Sequence, residues 1–318
     1  MPVPRADFDT AWKRAIEIFL DPFFAFFFPI VHADIDWAQP QLFQPTELLA
    51  ESQKTDERRG YVDLLVELAR RSGPPLLVLV HIEVQNRQES GFAERIFRYH
   101  TRLRAKHHQQ VATFVILADR SARWRPNGYR DDIWGTTVEL RFPIVKLRDF
   151  IPHRAELEAS QNPFAPIVLA HLTLYTTRQG AARRMAKFGI VRRLYEQGYT
   201  KDAIIHLFRS IDLILRLDVS EEQLFRTELR NFEKEQTVRI LTGIEQLALE
   251  EGREEGREEI LTLIGSIRDE ATIHYGAAGK ALVHELLERP TATRLSEFAA
   301  ALRSGVSVEV LRTLIGPQ

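Results

Sequence analysis

The chain has 318 residues, more than a typical domain of roughly 100–200 residues, so two or more folded units are expected. Its 43 Lys plus Arg nearly cancel its 44 Asp plus Glu; that balance and an ordinary hydrophobic fraction exclude a disordered polyelectrolyte but leave room for a local basic face. The absence of cysteine excludes disulfides, thiolate zinc sites and thiol nucleophiles together, and a cytoplasmic protein is expected.

From Asp9 to Phe28 a helical pattern runs into a cluster of phenylalanines, Phe19, Phe23, Phe24, Phe26, Phe27 and Phe28, which reads as core packing. The most apolar stretch, Ile18 to Val31, is interrupted by Asp21, Pro22 and Pro29 and falls short of the roughly 20 residues that cross a bilayer. No membrane association and no secretory signal are expected.

Tyr61 to Leu68 and Leu76 to Gln85 read as two strands joined through Gly73, Pro74 and Pro75. Alternation puts Val78, Val80, Ile82 and Val84 on one face of the second strand and His81, Glu83 and Gln85 on the other. A hairpin folding about residues 72 and 73 sets Asp63 almost opposite Glu83, with side chains about 5 Å apart. A carboxylate inside so apolar a strand is costly unless paired. Two such carboxylates, with the main-chain carbonyl between Glu83 and Gln85, are hard oxygen ligands suited to magnesium or manganese.

Glu89 to His108 reads as a helix with Phe92, Ile96, Tyr99 and Leu103 on its apolar side and Arg95, Arg98, Arg102 and Lys106 on its basic side. Val111 to Ala118 is a buried strand, and Thr136 to Phe142 and Ile144 to Leu147 are expected to add edge strands. Beyond Asp149 the pattern turns helical, with Thr200 placed to cap one helix. The basic cluster Arg183, Arg184, Lys187, Arg192 and Arg193 is a candidate source of phosphate contacts. The repeat EEGREEGREE at 250–259 is either a helix with a glycine stripe or a linker. Short helices close the chain, with Thr291 and Ser307 as caps and Gly305 as a stop.

The organisation expected is an α/β core with a mixed central sheet over 1–155, a helical domain over 156–245, the charged repeat over 246–260 and a helical association module over 261–318, making a homo-oligomer.

Asp63 followed by Glu83-Val84-Gln85 at the end of an apolar strand resembles the PD-(D/E)XK nuclease motif with glutamine in the lysine position. That variant is similar to the Rpn family of recombination-promoting nucleases and putative transposases. Asp9 with Trp12-Lys13, the run His81-Ile82-Glu83-Val84-Gln85, Arg95 with Tyr99, Asn162-Pro163-Phe164-Ala165 and the Glu-Gly-Arg repeat also resemble that family.

The resemblance implies a restriction-endonuclease-like core that hydrolyses DNA phosphodiesters with magnesium, in recombination or mobile-element biology. It implies that Asp63 and Glu83 bind metal and that Gln85 orients the attacking water. Glu47 is implied as a further metal ligand, though a surface glutamate at a helix start is the other reading. Arg95, Tyr99 and Lys13 are implied at the substrate phosphate, with a structural salt bridge as the alternative for Arg95. His81 is read as hydrogen-bonded structure and left outside the catalytic set. Glutamine cannot carry lysine's charge, so a catalytically weak DNA-binding or oligomeric scaffold is the rival function.

Overall fold

The computed structural model describes residues 7–44, 64–73, 76–177 and 179–234, and beyond them 267, 271, 275, 282, 283, 286, 298–302, 306 and 308–315. Two compact units divide the chain, Met1–Ile240 and Leu241–Gln318. Residues on both sides of position 155 therefore share one unit.

Helix α1 (Phe8–Ile18) begins where the Asp7 carboxylate accepts from the Thr10 amide at 3.2 Å, and it buries Ala11, Trp12, Ala15 and Ile16 along one stripe. Helices α2 (Leu20–Phe27) and α3 (Pro29–Asp34) follow at once. The phenylalanine cluster is core, as expected: Phe23, Phe24 and Phe27 are buried, and Phe24 meets Phe114 edge-on at 5.4 Å.

Five strands form the main sheet in the order β1 (Leu42–Phe43), β2 (Leu64–Arg70), β3 (Leu76–Gln85), β4 (Gln110–Leu117) and β7 (Ile144–Lys146). The first three are antiparallel, while β3, β4 and β7 run parallel, so the sheet is mixed. The turn before β3 uses Gly73 at φ 79, a conformation that costs other residues a Cβ clash.

Helix α4 (Phe92–His107) is the crossover between parallel β3 and β4 and covers one face of the sheet. Phe92 and Ile96 pack on Val115, Leu117 and Phe142, and Tyr99 and Leu103 pack on Leu65 and Leu79. The alternation of β3 thus turns His81, Glu83 and Gln85 toward α4 and Ile82 and Val84 toward the phenylalanine side.

One expected edge strand is corrected. Thr136–Arg141 forms β6, but it pairs with β5 (Gly128–Ile133) in a separate two-stranded sheet and not with the main one. The stretch Ile144–Lys146 does supply an edge.

After a 3-10 helix (Leu147–His153) come α5 (Arg154–Ala159), α6 (Phe164–Thr176), α7 (Ala181–Glu196), α8 (Lys201–Ile214) and α9 (Val219–Glu233). Helix α6 is buried over its whole first part, from Phe164 to Thr173, as befits a helix apolar on every side. Its Phe164 meets Trp12 at 6.1 Å, and the Asn162 amide donates to the Pro22 carbonyl at 2.9 Å. These contacts join the helices after position 155 to those that open the chain.

The Thr200 hydroxyl caps α8 as expected, accepting from the Ala203 amide at 3.3 Å. Thr200→Ala is expected to lower stability by about 1 kcal/mol and the melting temperature by about 3 °C, measurable by thermal denaturation.

The basic cluster on α7 is turned inward. Lys187 is fully buried against Asp212 at 2.5 Å and Glu222 at 3.3 Å. Arg184 pairs with Glu221 and Glu228, Arg192 with Glu196, and Arg193 with Glu158. Lys187, Arg184 and Arg193 thus tie α7 to neighbouring helices, which corrects their expected phosphate-binding role, while Arg192 is exposed and pairs within α7 itself.

The second unit has its own core, including Ile267, Leu282, Leu286, Phe298, Leu302 and Leu311, with Tyr275 donating to the Val306 carbonyl at 2.5 Å. Helix α10 (Val308–Ile315) contributes Leu311. The repeat at 250–259 and the expected caps and stop at Thr291, Ser307 and Gly305 lie outside the described residues. Among the described residues no helix is long and apolar enough to cross a membrane.

Candidate active site

Strand β3 carries a polar triplet into the protein on its α4 face. His81 is 0% exposed, Glu83 2% and Gln85 7%. The β2–β3 register pairs Leu64 with Ile82, as expected for the hairpin. Asp63 and Glu47 lie outside the described residues.

Arg95 answers the buried charge. It stands in the first turn of α4, at the edge of the sheet where β3 ends, and its guanidinium donates to Glu83 Oε1 at 2.9 Å and to Gln85 Oε1 at 3.1 Å. Its Nε and Nη2 donate to Glu89 at 3.0 and 3.2 Å. Phe92 and Tyr99 lie beneath it, with ring centroids 5.1 and 5.6 Å from the guanidinium carbon. Burial works against this charge, but Glu83 and Glu89 outweigh it and hold Arg95 above its ordinary value.

Burial likewise pushes the Glu83 carboxyl up. The His81 ring, 3.5 Å from Oε2, and the charge of Arg95 more than reverse that and hold it below the usual carboxylate range. Glu83 is therefore an anion at neutral pH. At 3.5 Å the ring and Oε2 meet as neighbouring charges and dipoles, beyond good hydrogen-bond length. Among the described residues neither His81 nitrogen and not Glu83 Oε2 has a hydrogen-bond partner. Buried oxygens of that kind are rare in folded proteins and call for a ligand, a water or a catalytic role.

Gln85 has no such freedom. While its Oε1 accepts from Arg95, its Nε2 donates to the Arg87 carbonyl at 2.9 Å and to Glu89 Oε2 at 3.2 Å. The orientation of its amide follows from the donors and acceptors around it. A water could be held on the remaining lone pair of Oε1, or by Nε2 on release of one of its bonds.

Asp9, near the start of α1, feels the same field. Partial loss of water and the negative charges of Asp7 and Glu83 raise its carboxyl, while Arg87 pulls the other way. Lys13, one turn on, instead lends its charge to Glu17. The structure thus gathers Glu83, Gln85, Arg95 and Tyr99, and it does not bring Lys13 into their hydrogen-bond network.

Two members were missed from sequence. Glu89 sits in the loop before α4, where no periodicity marks a side chain's direction, yet it braces both Arg95 and Gln85. His81 shared the correct face but was set aside as structural.

A divalent cation needs several hard oxygens. Glu83 Oε2 offers one, and among the described residues no group of three or more His, Asp or Glu could hold the ion. The other expected ligands, Asp63 and Glu47, lie outside the described residues. Compared with family models, curated proteins and solved structures, the chain finds no match.

Proposed function

We propose that the first unit is a restriction-endonuclease-like nuclease core of the Rpn kind, hydrolysing DNA phosphodiesters with magnesium or manganese. The observation that carries the reading is Glu83: a buried carboxylate near the end of a strand in the mixed sheet, ionised, with one oxygen braced by Arg95 and the other without a hydrogen-bond partner among the described residues. The antiparallel β2–β3 hairpin followed by a helical crossover to parallel β4 agrees with the motif that Asp63, Glu83 and Gln85 resemble.

In this reading Glu83 Oε2, Asp63 and Glu47 hold the cation. When bound, it polarises the phosphoryl group and makes a nearby water more acidic. Glu83 keeps its charge at neutral pH because Arg95 and His81 stabilise the anion. Arg95, anchored by Glu89, is positioned to meet a phosphate oxygen with charge-assisted hydrogen bonds. Gln85 swings its amide from Arg87 or Glu89 to hold the attacking water, and Tyr99 keeps the guanidinium in place from below. The second unit serves self-association, and the biological setting is recombination or mobile-element biology.

A second reading has its own observation. Gln85 and Arg95 are committed to a closed network with Glu83 and Glu89, the arrangement expected if the core has become a DNA-binding scaffold. The two readings separate on supercoiled plasmid incubated with purified protein and magnesium, manganese or chelator, beside Asp63→Ala. Nicking that needs the metal and is lost in Asp63→Ala supports the nuclease. Plasmid that stays intact with both metals, under conditions where the protein binds it, moves the scaffold to first place.

A further inference from the structure

The β5–β6 hairpin stands apart from the main sheet on a well-packed root. Tyr129 stacks on Phe97 of α4 at 4.8 Å with ring planes 24° apart, and its cross-strand partner Leu140 joins the cluster around Phe92 and Ile96. Alternation puts Ile133 and Val138 on the same face as Tyr129 and Leu140. Beyond the root that face carries Ile133 and Val138 beside Asp131 and Thr136 and runs out into solvent, with Val138 40% exposed, Ile133 57% and Trp134 at the tip 99%.

The tip is strained as well as exposed. Trp134 has φ 51 and Gly135 φ 83, the left-handed pair of a two-residue hairpin turn whose first position is ordinarily Asn, Asp or Gly. A bulky aromatic there costs backbone energy and leaves its whole ring in water. Such strain persists most often where a ligand is engaged.

The shape and surroundings of the finger select the ligand. A protein partner of ordinary size needs roughly 800 Å² on each side, and the tip offers little beyond one ring and two aliphatic side chains. A ring on a narrow support suits insertion beside a planar group. The helix that roots the hairpin exposes Arg98, Arg104 and Lys106, complementary to phosphates. Asp131 and Asp132 flank the tip itself, which favours contact with a base and disfavours contact with the backbone. From Tyr129 to Ile133 the strand reaches about 13 Å, so the ring stands a few stacked bases away from α4.

We propose that Trp134 is a stacking wedge that receives an unpaired nucleobase of DNA lying along α4. This rests on the reading of the first unit as a DNA-acting core and adds the preferred substrate: single-stranded or locally unpaired DNA.

Trp134→Asn tests it, because Asn suits the turn and removes the ring, and Trp134→Phe retains a stacking face. Fluorescence anisotropy compares three labelled probes: a single strand, its fully paired duplex, and the same duplex with an unpaired loop. Trp134→Asn is expected to bind the single strand and the looped duplex about tenfold more weakly and the paired duplex almost unchanged, with Trp134→Phe close to wild type. Equal binding of all three probes by wild type and Trp134→Asn overturns the wedge and leaves the DNA-acting core standing. A wild type that binds none of the probes removes the core reading and the wedge with it. Unchanged DNA binding accompanied by a smaller species in sedimentation makes Trp134 a protein contact and also overturns the proposal.

Discussion

Glu83→Gln is expected to slow metal-dependent cleavage about 10³-fold while the first unit stays folded. The substitution keeps shape and an acceptor for Arg95, and it removes the charge that a cation requires. Losing several kcal/mol of electrostatic stabilisation from a metal site corresponds to roughly that factor. The fold survives because Arg95 retains both bonds to Glu89. The cost to stability is about 1.5–3 kcal/mol, that of one charged hydrogen bond. Single-turnover cleavage and thermal melting on the same preparation measure both effects. A rate equal to wild type from a folded variant would remove Glu83 from the chemistry.

Arg95→Met has the largest expected effect on stability, and its size depends on pH. Side-chain exposure is 12% for Arg95 and 3% for Glu83, so deleting the cation strands a buried anion at about 3–5 kcal/mol, or about 10 °C in melting temperature. In the wild type the Glu83 carboxyl is held below its ordinary value of 4.5. Its contribution is therefore present above that pH and fades as pH falls through the lower folded value. In the variant burial is opposed by His81 alone, and the folded value is expected to rise toward the unfolded one or beyond it. The destabilisation should then be full at neutral pH and shrink as pH falls into the carboxylate range, where protonation neutralises the stranded carboxyl. Melting curves of both proteins across that range decide it. A difference independent of pH would mean that Arg95 acts through packing on Phe92 and Tyr99.

Most of the site could be read from the chain because two periodicities converge. An apolar run fixed both ends of β3, and alternation then put Glu83 and Gln85 on one face. Helical spacing turned Tyr99 toward the sheet but set Arg95 on the basic side, and only the resemblance to the nuclease motif brought Arg95 to the site. Glu89 escaped because it was read as the first residue of the helix, whereas α4 starts at Phe92 and leaves Glu89 in the preceding loop, free to turn back toward Arg95. The β5 strand escaped because GYRDDI carries few strand formers and lies mostly exposed, so its partner β6 was assigned to the wrong sheet. Arg184, Lys187 and Arg193 looked like part of a phosphate patch because their partners, from Glu158 to Glu228, lie far off in sequence and only folding brings them together. The single unit on both sides of position 155 was hidden for the same reason: Trp12 and Phe164 meet only in the folded chain.

The shortness of the outer strands bears on how copies of this protein can associate. β1 has two residues and β7 three, and Pro143, which has no amide hydrogen, immediately precedes β7. An incoming strand needs a row of free main-chain donors and acceptors to zip against. Among the described residues the main sheet offers almost no such row at either border. Templated aggregation through β1 and β7 is thereby discouraged, and any association of copies would fall to side-chain surfaces.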